Sequence, residues 1–260
     1  MKAVILAAGQ GTRLMPHTAV RPKCLIPLNG RSLLDRQLST LRTIGVRDIA
    51  VVAGYRASQV RAAAQGCRVF ENPDYETTNM VTSLMAARSW LESTDDVIVT
   101  YGDVVFEPRV ARRLADSVGD VAVVVDSAWR TYWEARMANP LTDAETLRLG
   151  PDGLIREVGA VADSYDQIDA QYIGLFRIAA AAMPRVLKLY DSLDRATVFR
   201  GRGRDQLHMT DLLQLLIEHG LRVHAVSQAG GWLEVDTVAD LELYARLARE
   251  DTLDRFCVLD

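Results

Sequence analysis

Short runs of β-branched and apolar residues alternate along this chain with segments whose apolar residues recur at helical spacing. A parallel sheet with crossover helices is the architecture that such alternation requires. Lys2 to Ala8 reads as a first buried strand, followed by strands in "DIAVVAG", "CRVF", "DVIVTYGD", "DVAVVVD" and "QYIGLFRI". Ser32 and Asp35 form a capping-box pair ahead of Leu34, Leu38 and Leu41, whose spacing marks a helix with one buried face. Further helices are expected over Ser58 to Ala64, from about Met80 to Leu91 behind Asn79 as N-cap, and in "HMTDLLQLLIEHG", capped by Thr210 and ended by Gly220. "GWLEVDT" leads into a last helix. One segment differs: "ETLRLGPDGLIREVG" has two alternating runs around Pro-Asp-Gly, which predicts an antiparallel hairpin. With no repeat, low-complexity tract or linker, the expectation is a single α/β domain over 1–260, a mostly parallel Rossmann-like mixed sheet flanked by helices, with a small antiparallel addition in the second half.

Composition narrows the function. A chain of 260 residues with 49% apolar residues can bury a sizeable core, and a net charge of -4 gives no electrostatic reason to expect nucleic acid. Cys24, Cys67 and Cys257 are odd in number and widely spaced, so neither a disulfide framework nor a zinc site is expected, and a reducing cytoplasm fits best. "MKAVILAAGQ" is a poor signal peptide and too short to span a bilayer, so no membrane insertion is expected. Oligomeric state is left open.

A glycine-rich turn after a parallel strand lies at the carboxyl edge of the sheet, where ligands bind. In "LAAGQGTRL", Gly9 and Gly11 let backbone N–H groups approach an anion, Thr12 adds a hydroxyl, and Arg13 and Lys23 supply charge. The P-loop spacing is absent, and Leu14 stands where a dinucleotide fingerprint needs a third glycine. The ordered set of strand, "AAGQGTRL" and "RPKCLIPL" carries more information than any one glycine.

That set resembles the nucleotidyltransferases that activate sugar 1-phosphates and small phosphoalcohols. "LAAGQGTRL" and "RPKCL" match their signature, and "YGD" (Tyr101 to Asp103) and "LEVDT" (Leu233 to Thr237) stand where the family carries two metal-binding aspartates. "NPDYETTNMVTSL", "QYIGLF", "MTDLL" and "GWLEVDTVADL" look most like the cytidylyltransferases acting on phosphocholine and 2-aminoethylphosphonate. The resemblance implies a GT-A-like fold, CTP as donor, a small phosphate or phosphonate acceptor, and Mg²⁺ held by Asp103 and Asp236. It implies further that Arg13 and the backbone from Ala8 to Thr12 hold the β- and γ-phosphates, and that Lys23 meets the α-phosphate or the acceptor. The pyrimidine would lie over Leu6, Ala7 and Ala8, with Asn79 or Ser83 contributing to its recognition. By the same resemblance, residues 1–126 are mainly nucleotide-binding, 127–235 mainly acceptor-binding, and 236–260 supply a metal ligand and the C-terminal helix. The chemistry is coherent without a general base, since a phosphate nucleophile has a second pKa of about 6 and is largely dianionic near neutrality.

The acceptor side departs from the sugar-activating branch: "REVGAV" replaces the usual Glu-Lys-Pro, whose lysine meets the sugar phosphate. "DSAWRTYWEAR" offers Asp126, Trp129, Tyr132, Trp133 and Arg136 close together, with Asp211 and Glu234 in later motifs. Aromatic faces with carboxylates suit an ammonium group, and Arg136 or Arg130 suits the phosphorus oxyanion. The arginine- and glycine-rich stretch from Arg195 to Gln206 reads as a solvated loop, with a lid over the phosphates as the second reading. Two other functions stay open: a sugar-1-phosphate nucleotidyltransferase, and a non-catalytic nucleotide-binding or regulatory protein.

Overall fold

In the computed structural model, residues 1–196 and 199–259 are described. Seven strands form the main sheet in the order Val223–Gln228, Val121–Asp126, Gln171–Ile178, Val97–Tyr101, Lys2–Ala7, Asp48–Ala53 and Arg68–Glu71. Every neighbouring pair is parallel except the two made by Gln171–Ile178, which runs opposite to both its neighbours. The sheet is therefore mixed, mostly parallel, and interleaves strands from both halves of the chain.

Pleating explains the near-continuous apolar runs. Along Val121–Asp126, Ala122 and Val124 join the core on one face while Val121, Val123 and Val125 join the core on the other. Helices Leu33–Thr43, Pro108–Ala115, Trp129–Arg136 and Val238–Arg249 cover the first face, and Met80–Ala86, Met183–Ser192 and Met209–Glu218 the second. The expected hairpin is present as Glu145–Leu149 paired antiparallel with Ile155–Val161, its turn closed by a 2.8 Å bond from Gly150 N–H to Leu154 O. A second ribbon pairs Trp232–Glu234 with Val104–Phe106.

Three local expectations are corrected. The helix expected from Met80 to Leu91 is two, Met80–Ala86 and Arg88–Leu91, joined at Ala87. The first strand ends at Ala7, before the backbone turns toward Gly9. The N-cap of Met209–Glu218 is His208, not Thr210, because the Asp211 carboxylate turns back to accept the His208 N–H at 2.9 Å. Among the described residues no helix is long and apolar enough to cross a membrane, and all three cysteines are free.

Candidate active site

At the carboxyl edge of the central strands lies a cleft of about 310 Å³, lined among others by Leu6, Ala7, Gly9, Gly11, Thr12 and Arg13 from the first strand and its turn. Gly11 takes φ +68°, and a methyl group there would sit 3.0 Å from the Lys23 side chain, so this residue must be small as well as left-handed. The turn is fixed from behind. Thr18 Oγ1 donates to Gly11 O at 2.9 Å, and the Tyr55 hydroxyl donates to Thr18 O at 3.0 Å.

The two aspartates reach the cleft by different routes and are then clamped together. Asp103 follows strand Val97–Tyr101, where Gly102 N–H donates to Leu6 O at 2.8 Å and ties the turn to the first strand. Asp236 follows the Trp232–Glu234 ribbon, and Val235 N–H donates to Asp103 O at 2.9 Å. Residues separated by more than half the chain are thereby held side by side.

Lys23 lies between them. Its Nζ is 2.7 Å from Asp103 Oδ2 and 2.7 Å from Asp236 Oδ1, while Arg13 Nη2 approaches Asp236 Oδ2 at 2.5 Å. Burial works to lower the pKa of the Lys23 ammonium, but Asp103, Asp236 and Glu234 outweigh it and hold it above its ordinary value. Glu234 is pushed up to about 7, first by burial and then by the charges of Asp103 and Asp236, against the opposing pull of Arg136 and Lys23.

The pair also suits a hard divalent ion. Asp103 Oδ1 is buried with no hydrogen-bond partner among the described residues, and Asp236 stands beside it. Among those residues no group of three or more His, Cys, Asp or Glu could hold a metal. Mg²⁺ typically takes one or two protein carboxylates and completes its shell with phosphate oxygens and water, so two aspartates facing a phosphate cleft fit it.

Several expected residues lie elsewhere. Ser83 is buried and its Oγ accepts from Asn72 Nδ2 at 3.0 Å, while Asn79 Oδ1 accepts from Met80 N–H at 2.8 Å. The neighbouring Met80 lines the cleft instead, as do Cys24 and Gly102, none of which carried a polar signal that sequence reading could have used. The aromatic group needs the larger correction. Trp129, Tyr132 and Trp133 are 5%, 3% and 4% exposed; Tyr132 and Trp133 pack against Trp232, and Trp129 against Trp133 and Tyr165, so they present no open ring face to the cleft.

Their role is visible in their polar ends. The Tyr132 hydroxyl accepts the Glu234 N–H at 2.8 Å, and the Tyr244 hydroxyl donates to Glu234 O at 2.7 Å, so the segment leading to Asp236 is held on both sides. Arg136, expected to hold an oxyanion, is buried and pairs with Glu234 at 2.8 Å and Asp240 at 2.9 Å. Asp240 in turn accepts the Asp236 N–H at 2.9 Å. Asp126 is a strand-end cap, accepting from Ala128 N–H at 2.8 Å and from Trp232 Nε1 at 2.8 Å. These residues support the segment carrying Asp236 from behind.

The arginine- and glycine-rich loop is folded inward. Arg200 Nη1 donates to Val158 O at 2.8 Å, Asn79 N–H donates to Asp205 O at 2.9 Å, and Gln206 Nε2 donates to Thr77 O. From 199 onward the loop is half-buried except at Gly201 and Gln206, which are exposed; Thr197 and Val198 lie outside the described residues.

One cleft of about 310 Å³ at the sheet's carboxyl edge thus brings the glycine-rich turn together with Arg13, Lys23, Asp103 and Asp236. The chain belongs to the family described as the MobA-like NTP transferase domain, which it matches over residues 3–168. It is 37% identical over 94% of its length to CTP:phosphoglutamine cytidylyltransferase of Campylobacter jejuni, covering 98% of that protein. It is 33% identical over 92% of its length to CMP-5'-(3-aminopropyl)phosphonate synthase of Streptomyces rubellomurinus, of whose longer chain it spans 37%. 2-Aminoethylphosphonate cytidylyltransferase of Lancefieldella rimae is 27% identical, with 93% of this chain and 91% of that one covered. The fold is shared with the inositol-1-phosphate CTP transferase from T. maritima, at TM-score 0.71 and 20% identity over 99% of this chain and 98% of that one.

Proposed function

We propose that the chain is a Mg²⁺-dependent cytidylyltransferase, which transfers CMP from CTP to a small amino compound ending in a phosphate, phosphonate or phosphoramidate and releases pyrophosphate. The observation that carries this reading is the Lys23, Asp103, Asp236 and Arg13 cluster beside the glycine-rich turn. The relatives named above support the choice of CTP and of an amino-bearing acceptor.

The acceptor oxygen attacks the α-phosphorus, the bond to the bridging oxygen of pyrophosphate breaks, and the electron pair leaves with that oxygen. The main obstacle is bringing two polyanions together, which calls for fixed positive charge. Backbone N–H groups from Ala8 to Thr12 and the Arg13 guanidinium hold the β- and γ-phosphates. The Lys23 ammonium, already at the cleft wall, exchanges a carboxylate for an α-phosphate oxygen and stabilises the charge that develops there. Mg²⁺, when bound by Asp103 and Asp236, would supply further neutralisation of the phosphates.

Pyrophosphate release over ATP, GTP, CTP, UTP and dTTP tests the reading, with phosphoglutamine, 2-aminoethylphosphonate, phosphocholine, 2-hydroxyethylphosphonate and glucose 1-phosphate as acceptors. CTP with an amino-bearing acceptor is expected to lead. Preference for UTP or dTTP with the hexose phosphate would move the chain to the sugar-activating branch, and no release with any pair would make it a non-catalytic nucleotide binder.

A further inference from the structure

The turn that carries Asp103 is held by a buried side chain that the chemistry above does not use. Gln37 lies on helix Leu33–Thr43, is 1% exposed, and stands between Leu33 and Leu41 on the buried face. The four-residue spacing of those leucines calls for an apolar side chain at 37, and the chain places an amide there instead. Its Nε2 donates to Tyr101 O at 3.0 Å and to Val104 O at 2.7 Å. Tyr101 ends the sheet strand Val97–Tyr101, and Val104 begins the ribbon strand Val104–Phe106. One amide nitrogen therefore bridges the two residues that flank the corner made by Gly102 and Asp103.

The amide does this while leaving its own acceptor empty. Gln37 Oε1 is buried and has no hydrogen-bond partner among the described residues. Turning the amide over would not relieve this, because it would set an oxygen against both carbonyl oxygens. An apolar side chain would cost less at this place unless the two carbonyls need the donor. Val104 is 1% exposed, so water has little access to its carbonyl in place of the amide.

The corner is fixed on its other sides as well. Gly102 N–H donates to Leu6 O at 2.8 Å, and a methyl on Gly102 would sit 2.8 Å from that same oxygen, so the corner is pressed against the first strand. Val104 pairs with Glu234 in the ribbon, and Val235 N–H donates to Asp103 O at 2.9 Å. Gln37 thus stands at the junction of sheet, ribbon and helix. From that junction Asp103 reaches the cleft, its Oδ1 buried and without a partner among the described residues.

We infer that Gln37 is a positioning residue: by fixing the angle between the strand ending at Tyr101 and the ribbon beginning at Val104, it sets where the Asp103 carboxylate stands beside Asp236, and so the affinity of the pair for a divalent ion. This rests on the reading of Asp103 and Asp236 as the residues that hold Mg²⁺. Outer groups that orient metal ligands typically change metal affinity by about 10- to 100-fold when removed. The lower end is expected here, because the amide acts through the backbone and not on the carboxylate itself.

Thr40 supplies a matched control: it lies three residues along the same helix, and its hydroxyl donates to Phe106 O at 3.2 Å, on the same ribbon but away from the corner. Mn²⁺ binding to the nucleotide-free protein, read from the electron paramagnetic resonance of the free ion, is compared across the unmodified protein, Gln37→Met, Thr40→Val and Asp103→Asn. Gln37→Met is expected to weaken binding about tenfold, Thr40→Val to change it by less than about threefold, and Asp103→Asn to weaken it more than either. In turnover, Gln37→Met should raise the Mg²⁺ concentration for half-maximal rate by a similar factor and leave kcat at saturating Mg²⁺ within about threefold. Both helix variants lose an internal hydrogen bond and should melt lower, so a metal effect shared by both is a packing effect and overturns the assignment. Where Gln37→Met does not fold, Gln37→Asn decides by the same outcomes, since a side chain one methylene shorter cannot reach both carbonyls. Weakened binding in Asp103→Asn with none in the Gln37 variant refutes the positioning role alone. Equal binding by Asp103→Asn and the unmodified protein, or no binding by the latter, refutes the metal reading and this one with it, while pyrophosphate release still tests the transferase separately.

Discussion

Replacing Lys23 by alanine probes the centre of the cluster in two independent ways. The side chain makes two charged hydrogen bonds of 2.7 Å and is 13% exposed. Its loss leaves Asp103 and Asp236 facing each other with, among the described residues, only Arg13 in ion-pair contact to compensate. Removing one partner of a buried ion pair costs about 3–5 kcal/mol, which we reduce to about 2 kcal/mol here because both aspartates keep contact with water. For a chain of this size that corresponds to roughly 4–8 °C in Tm. Mg²⁺ should restore more stability in the variant than in the unmodified protein, because it enters a carboxylate pair no longer occupied by an ammonium. Scanning calorimetry with and without Mg²⁺ reads both effects. Activity should fall about 10²–10³-fold in kcat, the usual cost of losing one fixed donor at developing charge. Equal Mg²⁺ shifts in both proteins, or a raised KM with kcat untouched, would refute the reasoning, the latter by making Lys23 a uniform binder.

Asp103→Asn and Asp236→Asn are each expected to lower the rate by orders of magnitude at saturating Mg²⁺ with the fold retained by circular dichroism, and near-normal rates in both would remove the metal assignment. Arg13→Lys should be milder than Lys23→Ala in kcat, because a positive charge stays near phosphates that are bound throughout; steady-state kinetics decides the order. Trp133→Leu should lower Tm by several degrees and affect amino-bearing and hydroxy-bearing acceptors alike, as expected of a core ring; a loss confined to cationic acceptors would restore it as an ammonium platform. Gly174→Ala should destabilise the protein and impair turnover together, since the new methyl meets Tyr101 at 2.7 Å from a backbone at φ +77°; a thermally neutral variant would show that the strand yields easily.

How much of this was legible in the chain depends on whether the signal was local. The strand, the glycine-rich turn and the order of "LAAGQGTRL", "RPKCL", "YGD" and "LEVDT" are short-range patterns, because pleat, turn conformation and motif spacing are properties of neighbouring residues. The hairpin around Pro-Asp-Gly was legible for the same reason. Tertiary packing decided which way side chains face. Trp129, Tyr132 and Trp133 look like an aromatic platform in sequence, yet the helix carrying them packs Tyr132 and Trp133 against Trp232 and Trp129 against Trp133 and Tyr165, and burying apolar area there outweighs leaving them open for a ligand. Arg200 and Arg202 look like solvated loop residues until the hairpin and the helix beginning at Met209 bring Val158 and Asp211 beside them. The sequence by itself determined the mostly parallel sheet, the glycine-rich turn and the residue types of the candidate site. Only the tertiary structure decided that Lys23, Asp103 and Asp236 meet within hydrogen-bond distance, because that meeting depends on a backbone bond between Val235 and Asp103 that no local pattern encodes.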